Sequence, residues 1–329
     1  MIPLAPHLEA FFRTHLARDR ACSRHTCETY AHAFQLLVSF AATRHKIAPS
    51  ALLLEQLDAP LVLDFLADLE TTRRNSPTTR NARLAAIKSF AHFLEYRVPA
   101  AIDQVRSILG IPAKRTDLPL VDSLTRDEVH ALLKAPEATT RLGIRDRAML
   151  YLCFAAGLRV SELIGLRCDE LQLHPDPSVH VRGKGRRERV LPLWKETTAA
   201  LQAWLAVRGD RLTREVFVNA RGQPLTRSGV EYVLNKYVEK AAAGTPSIAS
   251  KRVSPHVLRH SCAMQTLQAT RDVRKVSLWL GHASIKSTEM YLRADPTEKL
   301  AALNAGVAPV LQPGHFRPPD RLLAMLRES

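Results

Sequence analysis

The sequence predicts a mainly α-helical protein of two domains, with one small antiparallel sheet in the second. Three observations carry that prediction. Apolar residues recur at helical spacing over most of the 329-residue chain. A proline- and charge-rich break interrupts the period near 107–122. Beyond it, two short β-type runs flank Gly183-Lys184-Gly185 in the manner of a hairpin.

In the first domain, Tyr30, Phe34, Leu37, Val38 and Ala41 share one helix face. Leu61, Phe65, Leu66 and Leu69 share a second, and Leu84, Ile87, Ala91 and Leu94 a third. Ser76-Pro77 marks a helix start, because serine can cap and proline suits the first turn. The polar faces carry Arg73, Arg74, Arg80, Arg83 and Lys88, which predicts a helical bundle with a basic edge. Such an edge is either a solvated face or a surface for phosphates.

The linker contains Pro112, Lys114, Arg115, Asp117 and Pro119. We take 1–110 as the first domain, 111–122 as linker, 123–303 as the second domain and 304–329 as a tail. Thr125 to Glu128 has the form of a capping box. Helices are expected over 125–135, 142–156, 160–166, 196–208, 226–242, 255–268, 272–280 and 295–303. Strands are expected over 178–182 and 187–193. Leu322, Leu323 and Leu326 allow a short helix in the tail.

Bulk properties narrow the function. The net charge of +15 favours a polyanionic partner, since each neutralised phosphate releases counterions. No stretch of about 18 apolar residues exists, so no bilayer span is expected. Met1-Ile2-Pro3-Leu4 has neither a basic nor an apolar leader region, so no secretion signal is expected. The five scattered cysteines argue for a reducing cytoplasm over a disulfide framework.

Several short motifs can carry chemistry. In Ser254-Pro255-His256-Val257-Leu258-Arg259-His260, serine caps a helix and proline takes its first position. His256 and Arg259 then share a face beside free backbone N–H groups, a place suited to phosphate. The alternatives are plain surface residues, or metal binding by His256 and His260, for which the expected glutamate is replaced by Val257. Arg159 follows Gly157 at a helix junction, and Glu162 one turn on can grip its guanidinium in a bidentate pair. Lys184 is either a solvated turn residue or a mobile ammonium that reaches a phosphate or leaving group. Gly281 looks like a helix stop, which leaves His282 in a turn and Tyr291 on the next short helix.

The order of these motifs is more telling than any one of them. Gly-Leu-Arg-x-Ser-Glu-Leu, Gly-Lys-Gly, His-x-Leu-Arg-His, then Leu-Gly-His with Tyr291 nine residues later, resembles the tyrosine recombinase (phage integrase) family. The first domain resembles that family's core-binding domain through Ser23, Thr26 and Tyr30 and through the run Thr79 to Phe90. The resemblance covers almost the whole chain and points to its Xer-like and transposon-integrase branch. It departs in Leu292-Arg293, where relatives often have a histidine two residues after the tyrosine, and in the long tail.

By this resemblance Arg159, Lys184, His256, Arg259, His282 and Tyr291 stand at the six active-site positions. Tyr291 is then the nucleophile and forms a link to a 3′-phosphate. Arg159 and Arg259 would stabilise the charge of a five-coordinate phosphorus. His256 is expected to accept the phenolic proton, Lys184 to protonate the leaving 5′ oxygen, and His282 to hydrogen-bond a phosphate oxygen. No metal, cofactor or ATP is expected, because arginines supply the charge and the phosphotyrosine keeps the bond energy. The implied partners are double-stranded DNA and further copies of the chain, or related recombinases, assembled as a tetramer on DNA. By the same resemblance the tail either docks on a neighbouring protomer or is a loose chain end. Competing readings are a type IB topoisomerase, a non-catalytic DNA-binding relative, and a metal-dependent transposase or nuclease.

Overall fold

A computed structural model describes residues 1–117, 120–183, 187–209, 213–282 and 284–295. The chain divides into two compact units, Met1–Leu118 and Pro119–Ser329.

The first unit is a helical bundle. Helix α1 (Leu4–Ala10) runs on in π-helical geometry through Phe11–Asp19. Then come α2 (Arg24–His45), α3 (Ala59–Thr71), α4 (Pro77–Glu95) and α5 (Ile102–Leu109). The starts of α2 and α4 follow the sequence chemistry. Ser23 and Ser76 accept the Thr26 and Thr79 amides, and Pro77 opens α4. The apolar faces turn inward, with Phe34, Leu37, Phe65, Leu69, Ile87 and Leu94 buried. Phe11, Phe34, Phe90 and Phe93 form an aromatic centre whose ring centroids lie 5.2–6.0 Å apart, at edge and offset angles that suit the ring quadrupoles.

Packing takes up part of the expected basic edge: Arg80 is buried, and Arg83 and Lys88 are half-buried. Arg80 is 5% exposed and donates from Nη1 to the Pro112 carbonyl. Arg83 Nη1 donates to the Thr29 carbonyl, and Lys88 Nζ to the Leu109 carbonyl at 2.7 Å. These three stitch the bundle internally. Arg73 and Arg74, just past α3, are exposed.

In the second unit, helices α6 (Arg126–Lys134), α7 (Arg141–Ala155) and α8 (Val160–Ile164) precede the sheet. The capping box at Thr125 and Glu128 is formed in full. Strands β1 (Leu171–Gln172), β2 (Ser178–Arg182) and β3 (Glu188–Pro192) make an antiparallel sheet in the order β1-β2-β3. The sequence pattern had given only two of these strands. Helices α9 (Lys195–Arg208), α10 (Arg227–Ala242), α11 (Pro255–Thr270), α12 (Val273–Leu280) and α13 (Glu289–Ala294) follow. Most of the expected helix over 295–303 and the whole tail lie outside the described residues.

The register pairs Val179 with Leu191 and Val181 with Arg189. Directly paired residues share a sheet face, so Arg189 points to the side on which Val179 and Val181 are buried. That places a cation of β3 under α8 and α12. Among the described residues no helix is long and apolar enough to cross a membrane.

Candidate active site

Five of the six residues singled out by sequence come together in the second unit. Lys184 lies outside the described residues.

The site is built on two helix junctions. Chain direction reverses after α7 at Gly157, whose φ is +54°. A Cβ there would stand 2.7 Å from Leu280 Cδ2, so the turn needs glycine for conformation and for space. Two residues on, Arg159 occupies the N-cap of α8. Gly281, with φ +63°, ends α12 in the left-handed conformation.

Arg259 ties these junctions together. It stands on α11, is 4% exposed, and donates to the Gly157 carbonyl and, at 2.7 Å, to the Leu280 carbonyl. Burial and the neighbouring Arg159 pull its pKa down to about 10, which leaves it cationic at neutral pH.

Glu162 lies at the centre of the charge network, with a side chain 3% exposed. Its Oε2 accepts from the Arg159 amide at 2.9 Å, and its Oε1 accepts from Arg159 Nη1 at 2.7 Å. The expected bidentate guanidinium grip goes to another residue. Arg189 donates from Nη1 at 3.2 Å and from Nη2 at 2.9 Å to the two carboxylate oxygens. Arg259 Nη1 stands 3.8 Å from the same carboxylate. Burial raises the Glu162 pKa, but the hydrogen bonds from Arg189 and the Arg159 amide outweigh it and hold the group below the usual carboxylate value. One carboxylate thus aims Arg159 and compensates two further guanidiniums.

Tyr291 is 1% exposed on α13. Its hydroxyl is hydrogen-bonded to His260 Nδ1 at 2.9 Å. His282 lies nearly parallel to it, with centroids 6.4 Å apart at 9°, and is itself held through Nδ1 by Thr288 Oγ1 at 2.8 Å. Burial pushes the Tyr291 phenol up to about 12, against the opposing pull of Arg259 and Arg159. Burial and the three arginines pull His282 down to about 4. His256 sits at the surface on the first turn of α11, behind the Ser254 cap and Pro255, with its pKa lowered by partial loss of hydration and by Arg227, Arg259 and Arg159.

Sequence reasoning missed two residues of this cluster. Arg189 was not singled out, although strand alternation puts it on the face of the buried Leu191. His260 was weighed only as a metal ligand with His256. Among the described residues no three His, Cys, Asp or Glu side chains converge as a metal site. The basic residues Arg73, Arg74, Arg80, Arg83 and Lys88 all belong to the first unit.

Comparison with known proteins agrees over nearly the full length. Residues 122–298 match the phage integrase family, and residues 8–97 match the phage integrase N-terminal SAM-like domain. The candidate integrase/recombinase y4rC of Sinorhizobium fredii is 44% identical over 98% of this chain and 97% of its own length. Tyrosine recombinase XerC of Pelobacter propionicus is 34% identical over 88% of this chain and 91% of its own length. Among solved structures, XerH site-specific recombinase bound to palindromic difH substrate superposes with a TM-score of 0.66 at 21% identity. It aligns over 87% of this chain and 81% of its own. A lambda integrase dimer bound to a core site gives 0.64 at 14% identity, over 89% of this chain and 96% of its own. These two likenesses concern the fold. The chain belongs to the phage integrase family of tyrosine recombinases, whose members catalyse DNA strand cleavage and rejoining.

Proposed function

We propose that this chain recombines double-stranded DNA at specific sites through a 3′-phosphotyrosyl intermediate on Tyr291, with neither metal nor ATP. The observation that carries this reading is the convergence of Arg159 and Arg259 on one buried carboxylate, with both cations acting on the Tyr291 phenol. Fixed cations beside a hydroxyl nucleophile are what phosphoryl transfer to oxygen needs. They neutralise the charge that develops on phosphorus and lower the cost of ionising the phenol.

In the proposed reaction, Arg159 and Arg259 hold the non-bridging oxygens. His256, exposed at the helix N-terminus, and His282 donate to the phosphate. Tyr291 attacks phosphorus, and its proton passes to a histidine of α11. Lys184 protonates the departing 5′ oxygen. Bond energy is conserved in the phosphotyrosine, so rejoining needs no energy donor. The first unit clamps the duplex, with Arg73 and Arg74 facing phosphates, the second carries the chemistry, and residues 111–122 link them. Copies of the chain, or a related recombinase, assemble as a tetramer on DNA in the cytoplasm, as lambda integrase does on a Holliday junction. Residues 304–329 serve that assembly.

Selection from a randomised pool of nicked duplexes tests the proposal and yields the DNA site. The protein is incubated with the pool in chelator without ATP, and covalent adducts are recovered under denaturing conditions and sequenced. The expected result is one enriched sequence with inverted half-sites. Adducts that require magnesium or ATP would contradict the mechanism, and adducts without sequence preference would favour a topoisomerase.

A further inference from the structure

The hydroxyl of Tyr291 points at His260. Nδ1 and Oη are 2.9 Å apart, and the two rings meet edge-on with centroids 5.6 Å apart. His256, one turn earlier on α11, has its ring 6.4 Å from that of His260. Among the described residues, the phenol's hydrogen bond goes to His260 and not to His256. We infer that His260 is the group that accepts the phenolic proton when Tyr291 attacks, and that His256 is not. The inference rests on Tyr291 being the nucleophile.

The step balances as follows. A lone pair of Tyr291 Oη forms the new bond to phosphorus, and the O–H proton passes to His260 Nδ1. The bond from phosphorus to the 5′ oxygen breaks, and that oxygen keeps the electron pair and takes a proton from the acid assigned to Lys184. On rejoining, the imidazolium of His260 returns its proton to the phenolate.

The surroundings of His260 suit the role. A general base must stand within about 2.6–3.2 Å of the proton's owner, and His260 does, at 2.9 Å. It must also be unprotonated at rest. Burial, His256 and Arg259 depress its pKa to about 4, against the pull of Asp122, so the ring is neutral at neutral pH. A neutral ring with its proton on Nε2 offers the Nδ1 lone pair to the hydroxyl. The same cations make it a weak base until DNA arrives. A bound phosphodiester brings negative charge beside Arg159 and Arg259, which raises the basicity of the imidazole as the proton must move. His256 is exposed on the first turn of α11, where it can meet a phosphate oxygen.

Two experiments test this. The first uses ¹⁵N-histidine NMR on the full chain without DNA, with the His260 signals identified by their loss in His260→Gln. Tyr291→Phe should move the Nδ1 resonance of His260, and an unmoved resonance overturns the contact. The second measures single-turnover adduct formation on the duplex recovered by selection. His260→Asn sets an amide near the position of Nδ1 but cannot take up the proton. It should slow adduct formation by about 10²–10⁴, the usual range for a lost general base, with duplex affinity within a few-fold of the parent. A fluorinated tyrosine at position 291, with a more acidic phenol, should restore His260→Asn far more than it alters the parent or His256→Asn. Equal effects on all three overturn the inference, as does rescue of His256→Asn alone. Loss of duplex affinity without loss of rate at saturation also overturns it. Undiminished adduct from Tyr291→Phe would instead remove the nucleophile assignment, so the two failures are distinguishable.

Discussion

Glu162→Gln removes one negative charge from beneath three guanidiniums while keeping the size of the side chain. In the parent, the carboxylate is 3% exposed and meets Arg159 at 2.7 Å, Arg189 at 2.9 Å and Arg259 at 3.8 Å. The neutral amide keeps one acceptor and turns an NH₂ group toward the donors. Breaking a buried ion pair by neutralising one partner costs about 3–5 kcal/mol, because the other charge stays buried. For a domain of roughly 150–250 residues, each kcal/mol moves Tm by about 2–4 °C. The expected fall is therefore roughly 6–20 °C. The measurement is clean, because all three tryptophans, Trp194, Trp204 and Trp279, lie in the second unit, so their fluorescence follows its melting alone. Glu231→Gln, which loses an exposed contact with Arg227 in the same unit, is the control and should stay within about 0.5 kcal/mol. A Glu162→Gln variant that melts within about 2 °C of the parent would refute the claim that this carboxylate holds the arginine cluster together.

Three further outcomes follow from the same geometry. Arg189→Lys keeps the charge but loses the two-pronged grip on Glu162; it should lower the single-turnover adduct rate by at least about tenfold, and a parental rate would show that Arg189 does not help aim Arg159. Gly157→Ala forces a side chain into left-handed backbone, worth about 1–2 kcal/mol, and against Leu280; a Trp-monitored melting point unchanged from the parent would contradict the described turn. Acid should weaken the second unit in two stages. Burial pulls His260 and His282 down to about 4 in the folded chain, below the ordinary imidazole value of 6.5, so the unfolded chain binds protons first and stability falls as pH drops from 6.5 toward 4. Glu162 is also depressed when folded, so its contribution is present at neutral pH and is lost only as pH falls through its folded value below the ordinary carboxylate range. The Tm gap between the parent and Glu162→Gln should therefore close in strong acid. A flat melting point from pH 7 to pH 4 would contradict the buried neutral histidines.

Most of the helices, and the two longer strands, were legible because each buries one face and its sequence repeats at the matching period. Serine and threonine caps at Ser76, Thr125 and Ser254 marked the starts, and each side chain accepts the amide expected of it. Strand β1 was not legible, since two residues, Leu171 and Gln172, carry no period. Charged residues were the least legible. Arg80, Arg83 and Lys88 sit where a solvated face is expected, but their donors reach carbonyls at Pro112, Thr29 and Leu109, far along the chain. Local pattern holds no information about such partners. Arg189 escaped for the same reason, because its partner Glu162 lies on another element. The motif order located Arg159, Arg259, His282 and Tyr291, yet only folding shows that the phenol faces His260 rather than His256.

The central claim is that Tyr291 itself becomes bonded to DNA, and the linkage can be read directly. Covalent adduct formed on the selected duplex is digested with nuclease and protease, and the peptide that keeps a nucleotide is sequenced by mass spectrometry. The expected product is a nucleotide joined through its 3′-phosphate to the oxygen of Tyr291, with no such peptide from Tyr291→Phe. A nucleotide carried by any other residue, or joined through a 5′-phosphate, would contradict the account.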